Sequence, residues 1–286
     1  MKSSTRLKTI LASRSAAILP GTPNALFARV IAQHGFPAVY VTGAGIANMS
    51  YGFPDIGLVT LAELCDHVAA IADAVELPIL VDADTGFGNP LNVIRTVRLL
   101  ERAGAAGIQL EDQVFPKKCG HFAGKQVIAR AEMVQKIKAA CDARQDGDLQ
   151  IVARTDARAI EGIDAAIDRA QAYVEAGADA TFVEAPVETA ELARIARELP
   201  VPQIANMVFG GLTPPASRDE LAALGFGGVL YANAALQAAL KAVDDVMAAL
   251  RRDGALTQVA DRLAGFEQRQ QAIDKPHYDA LEQRYR

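Results

Sequence analysis

No apolar run in this 286-residue chain approaches the roughly 18 residues that would span a bilayer. The sequence therefore predicts no membrane-embedded segment. No G-x-G-x-x-G follows an apolar run, which disfavours a dinucleotide-binding fold. Basic residues are not in excess. Lys+Arg 29 against Asp+Glu 34 leaves a net charge of −5, which argues against a nucleic-acid partner. No long block of like charge is present, so no interaction tail is implied. Cysteine is scarce: Cys65, Cys119 and Cys141 form an odd set without metal-ligand spacing, which fits thiols in a reducing cytoplasm. What is present is apolar substance, 51% of the chain against 22% charged, enough for a large core in one or two domains.

That substance recurs in a pattern of helix, Gly-containing turn, short apolar run and polar residues. His34-Gly35-Phe36-Pro37 leads into residues 38–43, Ala103-Gly104 into 107–112, Ala176-Gly177 into 180–184, and Leu224-Gly225 into 228–231. Glycine after a helix is the expected C-cap. Runs at 16–20, 78–84, 149–156 and 202–207 bring the candidate strands to eight, and helical periodicity fills most of the intervals. Strands alternating with helices imply parallel pairing, and eight units predict a closed (β/α)8 barrel. The acid-free segment 1–17 faintly suggests a transit peptide, but Leu7, Ile10 and Leu11 share a helical face and predict a first helix covering the barrel. Residues 234–286 exceed what one closing helix requires, so the single barrel domain, 1–286, is expected to pack that tail on another subunit.

Barrel chemistry sits at the C-terminal strand ends. The polar residues there are Tyr40 and Thr42, Asp82 and Asp84, Glu111 and Asp112, Arg154 and Asp156, Glu184, Asn206, and Tyr231 with Asn233. Asp82 and Asp84 stand two residues apart, hence on one side of an extended segment. With Glu111, and Asp55 from the loop at 52–57, they predict an oxygen-rich pocket suited to a divalent cation, Mg²⁺ by default with Mn²⁺ as its substitute. Arg154 offers a bidentate fork for a substrate carboxylate, or an ion pair with a neighbouring acid. Thr42-Gly43-Ala44-Gly45 could form an anion-binding nest. The long connection Glu111–Lys125, E-D-Q-V-F-P-K-K-C-G-H-F-A-G-K, reads as a catalytic loop. In it Cys119 would be a proton donor or nucleophile, its thiol acidified by Lys117, Lys118 and His121.

V-D-A-D-T-G-F-G at 81–88, Glu111-Asp112-Gln113, K-K-C-G-H at 117–121, A-R-T-D at 153–156 and Ala205-Asn206-Met207 together resemble the isocitrate lyase/phosphoenolpyruvate mutase superfamily, in order along nearly the whole chain. The length is similar to its short methylisocitrate lyase and dimethylmalate lyase members. The resemblance implies a Mg²⁺-dependent barrel, in a homotetramer, that cleaves a 2-hydroxy acid to a 2-oxo acid such as pyruvate or glyoxylate. It implies Asp82 as principal cation ligand, with Asp55, Asp84 and Glu111 holding its waters. Thr42, Gly43, Ala44 and Arg154, with Gly120, Glu184 and Asn206, would bind substrate. Cys119 would be the general acid on a mobile lid beside Lys117 and His121, and Tyr40 is the hypothesised base. Two departures bear on substrate. Phe209 stands where related lyases commonly carry Glu, removing a charge from the expected pocket wall. Phe122-Ala123-Gly124-Lys125 replaces the usual Arg-containing sequence, which favours a dicarboxylate over a tricarboxylate. Oxaloacetate decarboxylase or hydrolase chemistry, a carboxyphosphonoenolpyruvate-type phosphonomutase and a binding-only barrel are the alternative readings.

Overall fold

Parallel strands pair only after a crossover returns the chain to its starting end, and the Gly-ended helices of this sequence supply those crossovers. A computed structural model describes residues 1–120 and 124–286. In chain order the elements are α1 (Ser3–Ala12), β1 (Ala17–Thr22), α2 (Ala25–Gln33), β2 (Val39–Val41), α3 (Gly43–Ser50), α4 (Leu61–Ala74), β3 (Ile79–Asp82), α5 (Pro90–Arg102) and β4 (Gly107–Glu111). They continue as α6 (Arg130–Ala143), β5 (Gln150–Thr155), α7 (Arg158–Glu161), α8 (Ile163–Glu175), β6 (Ala180–Val183), α9 (Thr189–Glu198), β7 (Ile204–Asn206), α10 (Arg218–Leu224) and β8 (Gly228–Tyr231). The tail comprises α11 (Ala234–Asp253), a 3₁₀ turn (Thr257–Arg262), α12 (Phe266–Ala272) and α13 (Lys275–Arg284).

All eight expected strands form, paired parallel in the order β6-β5-β4-β3-β2-β1-β8-β7. The circle closes between β6 and β7 through the parallel bridge Thr181 to Gln203, where Thr181 N–H donates to Pro202 O at 3.1 Å. Covered inside and out, β3 to β6 are buried at every position, which is why they read as continuous apolar runs rather than alternating ones. Strand bounds shift by a few residues from expectation, the first from 16–20 to Ala17–Thr22.

The barrel interior is packed by Leu19, Tyr40, Leu80, Val152, Phe182, Ile204 and Leu230, together with Leu7 and Leu11. Those last two belong to α1, which plugs the end opposite the strand C-termini, as its apolar face predicts. A side chain at Gly107 would place its Cβ 2.7 Å from Leu7 Cδ2, so this glycine makes room for the plug. The outer layer is a larger cluster between α2 to α6 and β2 to β5, continued by a second between α8 to α10 and β6 to β8.

Beyond the barrel, α11 folds Val246 and Ala249 over Val259 of the 3₁₀ turn, while Leu240, Val243 and Met247 form an exposed stripe. If Leu7 closes the barrel floor, Leu7→Ala should lower unfolding free energy by about 3 kcal/mol in urea denaturation. Leu91→Ala, at a position 74% exposed, should leave it unchanged; equal effects from the two would overturn the plug.

Candidate active site

The barrel mouth is lined by Tyr40, Thr42, Ala44, Asp55, Asp82, Lys117, Cys119, Gly120, Arg154, Glu184, Asn206, Ala232 and Asn233. One side of it is acidic. The extended backbone of β3 ends at Asp82, and Asp84 turns into the left-handed region at φ 47°, so the two acids do not share an extended segment as expected. They meet through a turn instead, Asp84 N–H donating to Asp82 Oδ1 at 3.2 Å. Gln109 Nε2 supports the same Oδ1 at 3.4 Å. Lys117 brings its buried ammonium between Asp55 and Asp84, 2.8 Å from the latter, and so joins the loop at 52–57 to the long loop after β4. Burial alone would lower the Lys117 pKa, but Asp84, Asp55, Glu111 and Asp82 together raise it well above its usual value.

The same crowding acts in reverse on the acids. Burial pushes the Asp84 carboxyl up to about 6, Lys117 pulling it back and Asp82 and Asp55 adding to the rise. Burial likewise drives Glu111 well above the carboxylate range despite Arg154, and Glu111 Oε1 is buried without a hydrogen-bond partner. Among the described residues these acids surround the Lys117 ammonium rather than a ready-made cation sphere. Their donor chemistry fits a hard divalent cation nonetheless. Four oxygen-donor side chains face one ammonium, and burial makes two of them hold protons more tightly.

The opposite side is organised by Arg154 at the end of β5. Its Nε and Nη2 donate to Asp156 Oδ2 and Oδ1 at 2.9 and 3.2 Å. Glu111 Oε2 and Glu184 Oε2 each lie 3.3 Å from the guanidinium, and the Phe182 ring sits 5.2 Å beneath it. The fork is thus engaged with Asp156, the ion-pair alternative, and Nη1 carries none of these contacts. Burial raises the Asp156 pKa, but Arg154 and Lys125 outweigh it and hold this carboxyl below its usual range. Asn206 Nδ2 reaches Glu184 Oε2 at 3.5 Å.

The long loop closes on itself. Val114 N–H donates to Gln126 O and Ile128 N–H to Asp112 O, both at 2.8 Å, and the Gln113 amide holds both backbone groups of Lys118 at 2.8 and 2.9 Å. This delivers Cys119 and Gly120 to the mouth. A Cβ on Gly120 would stand 2.5 Å from Arg154 Nη2 and 2.9 Å from Glu184 Cδ, so only glycine lets the loop come this close. The expected electropositive setting for Cys119 changes here. Lys117 is matched by carboxylates, and Lys118 Nζ donates to Gly124 O at 2.9 Å. His121, Phe122 and Ala123 lie outside the described residues. Cys65 and Cys141 lie on α4 and α6, and burial pushes the Cys141 thiol up to about 11.

Several other expectations are corrected. Tyr40 faces the mouth, but burial first, and the charge of Asp82 next, push its phenol well above its usual value. Thr42-Gly43-Ala44-Gly45 is the first turn of α3, capped by Thr42 Oγ1 accepting from Gly45 N–H at 3.2 Å, rather than a loop nest. Gly43 backs onto Asp82 and Asp84. Tyr231 and Phe209 line a separate apolar cavity between the β7–α10 connection and α11, with Phe209 89% exposed, so the missing acid at 209 does not alter the mouth wall. Asp112 points away from the mouth, because neighbours along a strand face opposite sides. It accepts from Thr155 Oγ1 at 2.7 Å, Tyr173 OH at 2.8 Å and Asp156 N–H at 2.9 Å. Gln109 and Tyr173 carried no signal in the sequence, and Lys125 appeared there only in the motif that ends the long loop; each acts through a partner remote in the chain.

Comparison with known proteins places this geometry. A family model described as phosphoenolpyruvate phosphomutase matches residues 7–251. The chain is 45% identical to a 2,3-dimethylmalate lyase of Eubacterium barkeri, over 94% of this chain and 93% of that protein. It is also 45% identical to a 2-methylisocitrate lyase of Aeropyrum pernix, over 90% of this chain and 82% of that one. A crystal structure of 2,3-dimethylmalate lyase superposes with a TM-score of 0.94 at 32% identity, covering 100% of this chain and 96% of that chain. A phosphonopyruvate hydrolase complexed with oxalate and Mg++ superposes with a TM-score of 0.89 at 32% identity, covering 100% and 99%.

The Asp112 network carries a test. Tyr173→Phe removes one donor from a fully buried carboxylate and should cost about 1–3 kcal/mol in urea unfolding. Unchanged stability would show that Asp112 does not depend on Tyr173.

Proposed function

The chain belongs to the phosphoenolpyruvate phosphomutase family, and on that footing we propose that it is a carbon–carbon lyase cleaving a 2-hydroxy dicarboxylate of the methylmalate type to a 2-oxo acid and a carboxylate. One observation carries the reading: a thiol, a buried guanidinium and a cluster of carboxylates line a single cavity at the C-terminal ends of the strands. Asp55, Asp82, Asp84 and Glu111 would hold a divalent cation, Mg²⁺. When bound, it supplies positive charge against the oxyanion that develops on the substrate's 2-oxygen.

The protein's own groups account for the rest. Arg154 and the N–H groups of the first turn of α3, at Gly43 and Ala44, bind the 2-hydroxy acid end. Thr42 fixes that turn and Tyr40 donates its phenol proton within it. Glu184 and Asn206 hold the Arg154 side of the mouth, and Lys117 draws the loop onto the acids. The substrate hydroxyl gives its proton to a mouth carboxylate. The C2–C3 bond then breaks, its electron pair passing to C3, where the adjacent carboxylate delocalises it. Cys119 donates its thiol proton to C3 and is reprotonated from the carboxylate, so no net proton is consumed.

The mouth favours two carboxylates over three. Lys117 and Arg154 are the cations among its described lining residues, and both already face acids. The exposed stripe Leu240, Val243 and Met247 supports packing of residues 234–286 on a neighbouring subunit of a homotetramer. Three cysteines without a disulfide support a cytoplasmic setting. No helix among the described residues is long and apolar enough to cross a membrane.

The test is release of 2-oxo acid, with Mg²⁺, from malate, 2,3-dimethylmalate, 2-methylisocitrate and isocitrate. A dicarboxylate should turn over, chelation should abolish the reaction, and Cys119→Ser should lower kcat about a hundredfold or more. Equal rates in the two proteins would remove Cys119 from the mechanism. Silence across the panel, with oxalate formed from oxaloacetate, would transfer the assignment to a hydrolase.

A further inference from the structure

Lys125 is buried at the end of the long loop, and its ammonium has two partners that are distant in sequence. It donates to Gly120 O at 2.5 Å and to Asp156 Oδ1 at 2.7 Å. Asp156 is itself fully buried, gives both carboxylate oxygens to Arg154, and has its backbone N–H held by Asp112. The route from the barrel wall to the mouth is therefore continuous: Asp112 holds Asp156, Asp156 holds Lys125, and Lys125 holds the carbonyl next to Cys119. Before Cys119 the loop is held by the Gln113 amide on Lys118 and by the Lys117 ammonium on Asp55 and Asp84; beyond it, Gly124, Gln126 and Ile128 are tied to Lys118, Val114 and Asp112, within the loop and at its base rather than to the strand that carries Arg154. Lys125 secures the far side.

We infer that Lys125 is a positioning residue for Cys119, setting the distance of the thiol from the reacting carbon by fastening Gly120 O to Asp156. This rests on the proton-donor role proposed for Cys119. An apolar side chain at 125 would leave the buried Gly120 carbonyl without its charged donor and Asp156 Oδ1 with Arg154 Nη2 alone, and the ammonium that ties the Cys119-Gly120 segment to Asp156 would be gone. Because Lys125 does not line the mouth, its removal should affect the placement of the donor and not the binding of substrate.

The experiment compares wild type with Lys125→Met, Lys125→Gln and Lys125→Arg in two measurements. The first is the rate of Cys119 alkylation by iodoacetamide, followed by peptide mass spectrometry, with Cys141 as the slow internal reference. The second is the division of any turnover defect between kcat and KM. Lys125→Met should alkylate Cys119 about tenfold faster and lose about a hundredfold in kcat with KM within about twofold, as expected for a misplaced donor. Lys125→Arg, which keeps the charged donor, should restore most of both. Unchanged alkylation in folded Lys125→Met and Lys125→Gln would overturn the inference. So would a loss of folded protein in both that Lys125→Arg fully corrects without separating kcat from KM. The alkylation measurement needs no substrate, so failure of wild type to turn over would sink the lyase reading alone.

Discussion

A guanidinium buried at the end of a β-strand must be matched where it lies, because a lone charge in that environment costs more than any single contact returns. Arg154 imposes that constraint on the mouth. Asp156, Glu111 and Glu184 converge on it from β4, β5 and β6, and the Phe182 ring covers its lower face. The match is over-supplied in negative charge, so a second cation, Lys125, is drawn in beside Asp156. That ammonium in turn fastens the loop carrying Cys119. The position of the Cys119-Gly120 end of this long connection is thus tied to charge balance inside the barrel.

The acid side shows the same logic with a different remainder. Lys117 sits among Asp55, Asp82, Asp84 and Glu111, with Arg154 reaching only Glu111, and burial together with neighbouring acids raises the proton affinities of Asp84 and Glu111. One side of the mouth is therefore nearly balanced and suited to orienting a carboxylate, while the other is short of positive charge. In the function proposed above, a thiol placed between them would meet a substrate held at one end and polarised at the other. Separation of these two tasks suits the cleavage of a carbon–carbon bond next to a carboxylate, where one fragment must leave as an oxo acid and the other must be protonated.

The eight strands, their parallel sense and the helical plug were legible in the sequence because they follow from local periodicity and from glycine at helix ends. So was the gathering of polar groups at one rim, since polar residues at the ends of buried runs have nowhere else to go. The motif-bearing residues Asp82, Cys119 and Arg154 do reach one cavity. Legibility failed where facing matters. Asp112 follows Glu111 directly yet points to the opposite side of β4. Asp84 reaches Asp82 through a left-handed turn that spacing alone does not reveal. Tyr231 and Phe209 belong to a neighbouring cavity because the β7–α10 connection carries them outward.

Periodicity and residue type act over a few neighbouring positions, and they suffice for the barrel, its plugged floor and the inventory of groups at its mouth. The state of those groups is set by the fold. Whether Tyr40 keeps its proton, whether Arg154 has a fork to offer, and what Lys117 and Lys125 neutralise depend on burial and on partners from loops and strands far apart in the chain. Coulombic and desolvation effects are set by distance and dielectric, and neither is a property of sequence separation.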